Sequence, residues 1–150
     1  MRSSWPRRSQ LNDPALLAEL ALDAKADGRT MVARLMAEWA DGSNRFNRLG
    51  ERAYFAVSQD HVVAVCGLNI DPFAGDPVIG RVRRLYVAVA QRRRGLGSAI
   101  MKRVTDDARD HFHMLHLRTD DADASAFYEA IGFDRITDKP NCTHCRSIIE

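Results

Sequence analysis

The chain has 150 residues, 45% of them hydrophobic and 28% charged, with a formal net charge of +2. That is the size and composition of one soluble globular domain. It excludes a disordered, collagen-like or low-complexity chain, and so small a charge gives no argument for a nucleic-acid partner. Three cysteines cannot build a dense disulfide scaffold and leave one unpaired within the chain, so a cytoplasmic setting is the simpler reading. The longest purely apolar runs are a few residues, which predicts no transmembrane helix and no membrane partner.

The first ten residues are rich in Arg and Ser and free of acid, a composition that transit peptides share. Acid returns at Asp13 and no secretory-type apolar core follows, so residues 1–12 are expected as a flexible arm on a single domain spanning 1–150. Asn12-Asp13-Pro14 opens a first helix, with Leu16, Leu17, Leu20, Ala21 and Ala24 at helical spacing and Asp27-Gly28 as its stop. Thr30 precedes a second helix with Met31, Val32, Leu35, Met36 and Trp39 on its apolar face, ended by Asp41-Gly42-Ser43-Asn44.

The period then changes. Residues 53–57 and 62–70 are β-branched and aromatic runs around Ser58-Gln59-Asp60, which predicts a hairpin. Residues 71–80 hold two prolines and two glycines and read as a loop. A third strand is expected over 81–89. Its apolar positions Val82, Leu85, Val87 and Val89 contain one odd step, which a β-bulge would absorb. A helix bearing Ile100, Met101, Val104, Ala108 and Phe112 follows, then a strand over 114–119 and a short helix over 124–131 ended by Gly132. Two closing strands are expected over 133–136 and 146–149. This order predicts an α/β (α+β) three-layer fold, a mixed sheet with helices on both faces.

The strongest chemical signal is the turn Arg92-Arg93-Arg94-Gly95-Leu96-Gly97-Ser98 between a strand and a helix. Glycines there permit a tight turn with several N–H groups aimed at one spot, and the helix N-terminus adds about half a positive charge. Arg92, Arg93 and Arg94 add mobile cations, and the whole fits a phosphate or pyrophosphate. A Walker loop would need a lysine that is absent, and a dinucleotide fingerprint would need a small residue where Ile100 stands.

Arg92-x-x-Gly95-x-Gly97 after Leu85-Tyr86-Val87 resembles the pyrophosphate loop of the GNAT superfamily of N-acetyltransferases. The segment Ala124-Ser125-Ala126-Phe127-Tyr128-Glu129-Ala130-Ile131-Gly132-Phe133 is similar to that family's Ala-x-x-Phe-Tyr-x-x-x-Gly-Phe, and the likeness covers about residues 29 to 150. The resemblance implies acetyl-CoA as co-substrate and a primary amine as acceptor, whether small molecule, peptide N-terminus or lysine. It implies that backbone groups of Leu85, Tyr86, Val87 and Val89 hold the pantetheine arm as an extra half-strand. A backbone N–H near Leu85 to Val87 would serve the oxyanion. Amides of Arg93, Arg94, Gly95, Leu96, Gly97 and Ser98 would take the pyrophosphate. Tyr128 matches the position of the general acid.

Two positions depart from the family pattern. Asp121 stands where the family often has a cofactor-contacting Asn; as a cofactor-binding residue it could still accept hydrogen bonds, although its charge would repel a pyrophosphate. The third strand offers Arg81, Arg83 and Arg84 where a general-base Glu often stands. The amine could be deprotonated through water, by Glu51 or by a histidine such as His116, or it could bind already neutral. Arg83 and Arg84 are either surface charges on a sheet edge or members of an acceptor pocket favouring a carboxylate or phosphate. The loop Asn44-Arg45-Phe46 lies where acceptor-binding loops sit in such folds.

Cys142-Thr143-His144-Cys145 resembles half a zinc site but lacks a second ligand pair, and no metal is expected. Two rivals remain: a non-catalytic CoA-binding sensor on the same scaffold, and a nucleic-acid-binding domain using the arginines. Asp106, Asp107 and Asp110 argue against the second. The C-terminal strands could pair across a homodimer or close the monomer.

Overall fold

The computed structural model describes residues 3–4 and 13–149. A seven-stranded sheet has the order β1-β2-β3-β4-β5-β7-β6. Its strands are β1 (Ser3–Ser4), β2 (Arg52–Ser58), β3 (His61–Ile70), β4 (Ile79–Val87), β5 (Met114–Leu117), β6 (Asp134–Arg135) and β7 (His144–Ser147). Helices α1 (Ala18–Ala26) and α2 (Met31–Asp41) cover one face, and α3 (Leu96–Ala108) and α4 (Ala122–Ala130) the other. This is the expected three-layer mixed architecture. Among the described residues only β4 and β5 run parallel. No helix among the described residues is long and apolar enough to cross a membrane.

Two apolar cores result. Leu17, Leu20, Ala24, Val32, Leu35 and Phe46 pack on Ala53, Val65 and Tyr86 under α1 and α2. Ile100, Met101, Val104 and Ala108 of α3 pack on Tyr54, Cys66, Leu68 and Val82 on the other face. Each buried Leu or Ile contributes about 1.5–3 kcal/mol of transfer free energy, so these stripes fix both helix layers to the sheet.

Local chemistry explains most boundaries. Asp13 accepts the Ala15 N–H at 3.0 Å and Pro14 opens the first turn, as expected. That turn, residues 14–17, is a 3-10 turn that precedes α1, so Leu16 leaves the helical phase and is exposed. Gln59 and Asp60 both have positive φ, the conformation a two-residue hairpin demands. The expectation of a flexible arm over 1–12 lies outside the described residues except at Ser3–Ser4, which pair antiparallel with Ser58 and Val57.

The C-terminal half is less regular than its periodicity implies. Helix α3 ends at Ala108, yet Phe112 stays buried because its N–H returns to the Ala108 carbonyl at 2.8 Å. Helix α4 begins at Ala122, earlier than expected, because Asp121 caps it through the Asp123 N–H. The strand expected over 133–136 shrinks to Asp134–Arg135, and that over 146–149 moves to His144–Ser147, where it pairs with β5.

Candidate active site

Strand β4 carries the site. Its register against β3 slips between Val65 and Gly67, so Cys66 faces both Arg84 and Leu85, and Arg84 has φ +61°. A non-glycine residue in the left-handed region costs about 1–2 kcal/mol, strain of a kind that clusters at functional sites. This is the bulge that the odd apolar step predicts. Val82, Leu85 and Val87 pack toward α3 and α4, whereas Tyr86 packs under α1 and α2.

The pairing of β4 with β5 stops at Arg81 opposite His116. Beyond that point the two parallel strands share no ladder. The Ala88 N–H donates to Val63 of β3 at 2.8 Å, so by strand alternation Val87 turns its polar groups to the open edge.

Part of that edge is already occupied. The Arg92 Nε donates to the Val87 carbonyl at 3.0 Å, and its Nη2 to Asp27 at 2.7 Å. The same guanidinium lies 5.3 Å from the centre of the Tyr86 ring. Tyr86 in turn donates its hydroxyl to Asp23 at 2.7 Å, and Asp23 also accepts the Val89 N–H at 3.1 Å. The bond from Arg92 holds the Asp27 carboxyl below the usual carboxylate range. Two expectations need correction. Arg92 is a fixed clasp, not a mobile cation, because two elements converge on its guanidinium. Val89 lies past the strand in a 3-10 turn, 50% exposed, with its N–H committed to Asp23.

The glycine turn divides its tasks. Arg93 and Gly95 both take left-handed φ, +64° and +75°, and bend the chain into α3. The first α3 bond runs from the Ala99 N–H to Gly95, so the N–H groups of Leu96, Gly97 and Ser98 have no intrahelical acceptor, and no side chain caps them. Arg93, Arg94, Gly95 and Ser98 are exposed beside them. A Cβ on Gly95 would meet nothing within 4 Å. Gly97 serves packing instead: its Cβ would stand 3.4 Å from the Phe127 ring and 3.8 Å from Val87.

Phe127 brings α4 to the same place. Tyr128, 7% exposed, stacks edge-on with Phe127 and Phe133 at 5.2 and 5.6 Å. Its hydroxyl makes no hydrogen bond among the described residues. Burial pushes its phenol well above the ordinary range, with the buried Cys66 thiol a lesser cause. Leu85, Val87, Leu96, Phe127 and Tyr128 all belong to the apolar core under α3 and α4. Asp121 does not join it as a free acceptor. It caps α4 and pairs with Arg29 at 3.3 Å, an exposed long-range contact with no signature in the sequence.

On the α1/α2 face, Glu51 is fully used, accepting from Arg48, Asn69 and the Ile70 N–H. His116 differs: its Nδ1 lies 2.9 Å from Asp71, while its Nε2 is buried without a partner. Asn44 pairs amide to amide with Asn69 at 2.9 and 3.0 Å, and Phe46 is a core residue packed over Gly67. That loop braces the sheet. His144 contacts Ser125 at 3.0 Å and Thr143 at 2.8 Å, and Cys142 donates to the His144 carbonyl. Among the described residues no three His, Cys, Asp or Glu side chains gather as a metal site.

The site thus joins a mixed sheet whose two parallel strands part beyond Arg81 to the uncapped start of α3. Residues 15–133 match the model of the acetyltransferase (GNAT) family, and the chain belongs to that family. A proposed acetyltransferase from Exiguobacterium sp. 255-15 superposes with a TM-score of 0.83 at 25% identity, covering 98% of this chain and 94% of its own. A GNAT-family acetyltransferase from Staphylococcus aureus Mu50 gives 0.74 at 18% identity, covering 99% and 100%. PaiA N-acetyltransferase from Thermoplasma acidophilum, in complex with coenzyme A, gives 0.71 at 14% identity, covering 98% and 99%. No curated protein matches the sequence.

Proposed function

We propose that the protein transfers an acetyl group from acetyl-CoA to a primary amine. The observation that carries this reading is the unpaired edge of β4 beyond Arg81, running from the bulge to the uncapped start of α3 with Tyr128 beside it. The coenzyme A bound by the Thermoplasma acidophilum relative supports the same co-substrate.

In the reaction the amine nitrogen bonds to the thioester carbonyl carbon, the carbon–sulfur bond breaks, and the proton lost from nitrogen is balanced by one gained at sulfur. The open N–H of Val87, with that of Leu85 beside it, donates to the oxygen as negative charge develops there. Tyr128 holds the proton for the departing sulfur, and its raised pKa keeps the phenol protonated. The N–H groups of Leu96, Gly97 and Ser98 take the pyrophosphate at the positive end of α3. The proposed pyrophosphate site at the start of α3 puts the cofactor on the α3/α4 side of the edge, so the amine approaches from the α1/α2 side.

Free-thiol release from acetyl-CoA in the presence of a primary-amine library, with product masses increased by one acetyl group, tests this reading. Saturable CoA binding with no thiol release on any amine would leave the sensor alternative. The arginines on β4, where the strand carries no carboxylate, are what favours that alternative.

A further inference from the structure

We infer that the acceptor amine carries an anionic oxygen group, a carboxylate or a phosphate, which Arg83 binds on the α1/α2 face of β4. This rests on the reading that the amine arrives from that face. The facing of Arg83 is fixed by its partner across the sheet: Arg83 lies directly opposite Gly67, and a Cβ on Gly67 would strike the Phe46 ring of the α1/α2 core at 2.4 Å. Direct cross-strand partners share a face, so Arg83 points the same way. The bulge then turns Arg84 to that face as well, where it grips Glu38 of α2 at 3.0 and 3.1 Å.

Three guanidiniums of one short segment therefore crowd one face, and their partners differ. Arg81 donates to the Asn141 carbonyl at 2.8 Å, lies 3.8 Å from Asp71 and covers the Phe73 ring. Arg84 spends its Nη2 on Glu38 and leaves its Nε buried and unpartnered. Arg83 has no hydrogen-bond or ion-pair partner among the described residues, yet it is half-buried. Burial, the adjacent Arg84 and the nearby Arg81 and Arg34 disfavour its charge, and Glu38 alone offsets them. A half-buried cation among like charges costs stability that an oxyanion would recover. A guanidinium fork with free donors matches the paired oxygens of a carboxylate or phosphate.

The test is calorimetry on CoA-loaded protein, so that the glycine turn is filled, with succinate and inorganic phosphate titrated separately beside the Arg83→Gln variant. Saturable binding of one anion is expected, weakened tenfold or more in Arg83→Gln with CoA affinity unchanged, and partly restored in Arg83→Lys. The anion that binds separates carboxylate from phosphate. Removing a repelled charge should leave Tm equal or higher, so the variant folds. No anion binding to CoA-loaded wild type, or equal binding by the variant, overturns the inference. If CoA itself fails to bind, the proposed function falls instead, and the same pair without CoA still tests Arg83.

Discussion

Arg92 and Arg83 belong to one strand-and-turn segment and have opposite fates. Arg92 is exposed yet fully engaged, bridging Asp27, the Val87 carbonyl and the Tyr86 ring. Arg83 is half-buried yet has no partner among the described residues. Charge density in the sequence does not say which arginine serves a ligand; the partners do. The arginine that looks available for an incoming phosphate is committed to the fold. The one that looks like sheet decoration is the one we propose binds the acceptor.

The contrast is broken most severely on the cofactor side. Gly95→Val should lower CoA affinity about 100-fold or more, because a side chain in the open space beside the turn blocks close approach and left-handed φ disfavours a β-branched residue. Equilibrium dialysis checks this, and anion binding at Arg83 should survive the change. Tyr128→Phe should lower turnover about 100-fold at saturating substrate with CoA affinity nearly intact, read by initial rates of thiol release.

Smaller effects sharpen the same picture. In the proposed mechanism the protonated phenol of Tyr128 is the acting form and its pKa is raised, so Tyr128 should contribute no alkaline fall in turnover up to its ordinary value of 10.0. A pH–rate profile in which wild type falls below that value and Tyr128→Phe does not would contradict this. Arg92→Ala should change CoA affinity less than about tenfold, since its guanidinium is spent within the protein. A loss as large as that of Gly95→Val would return Arg92 to the phosphate site.

What the sequence made legible follows from range. The helical stripes, the Gln59-Asp60 hairpin, the bulge step at Leu85 and the glycine turn are local patterns, and each appears close to where its spacing places it. The Asp27–Arg92 clasp, the Arg29–Asp121 bridge and the Asp71–His116 contact join residues far apart in the chain, and no local spacing encodes them. Asp121 shows the difference in one residue: its family position implies a cofactor contact, while its carboxylate caps α4 and pairs with Arg29. The facing of Arg83 needed the β3 register, because an odd step reveals a flip without saying which side is buried.

Calorimetric titration of the wild-type protein with acetyl-CoA, beside desulfo-CoA and ATP, tests the central claim most directly. Saturable one-site binding of acetyl-CoA and desulfo-CoA with no binding of ATP is the predicted result, since the proposed site takes the pantetheine arm along the β4 edge as well as the pyrophosphate. Binding of ATP as tight as that of acetyl-CoA, or no binding of either by folded protein, would contradict it and leave the parted strands as architecture alone.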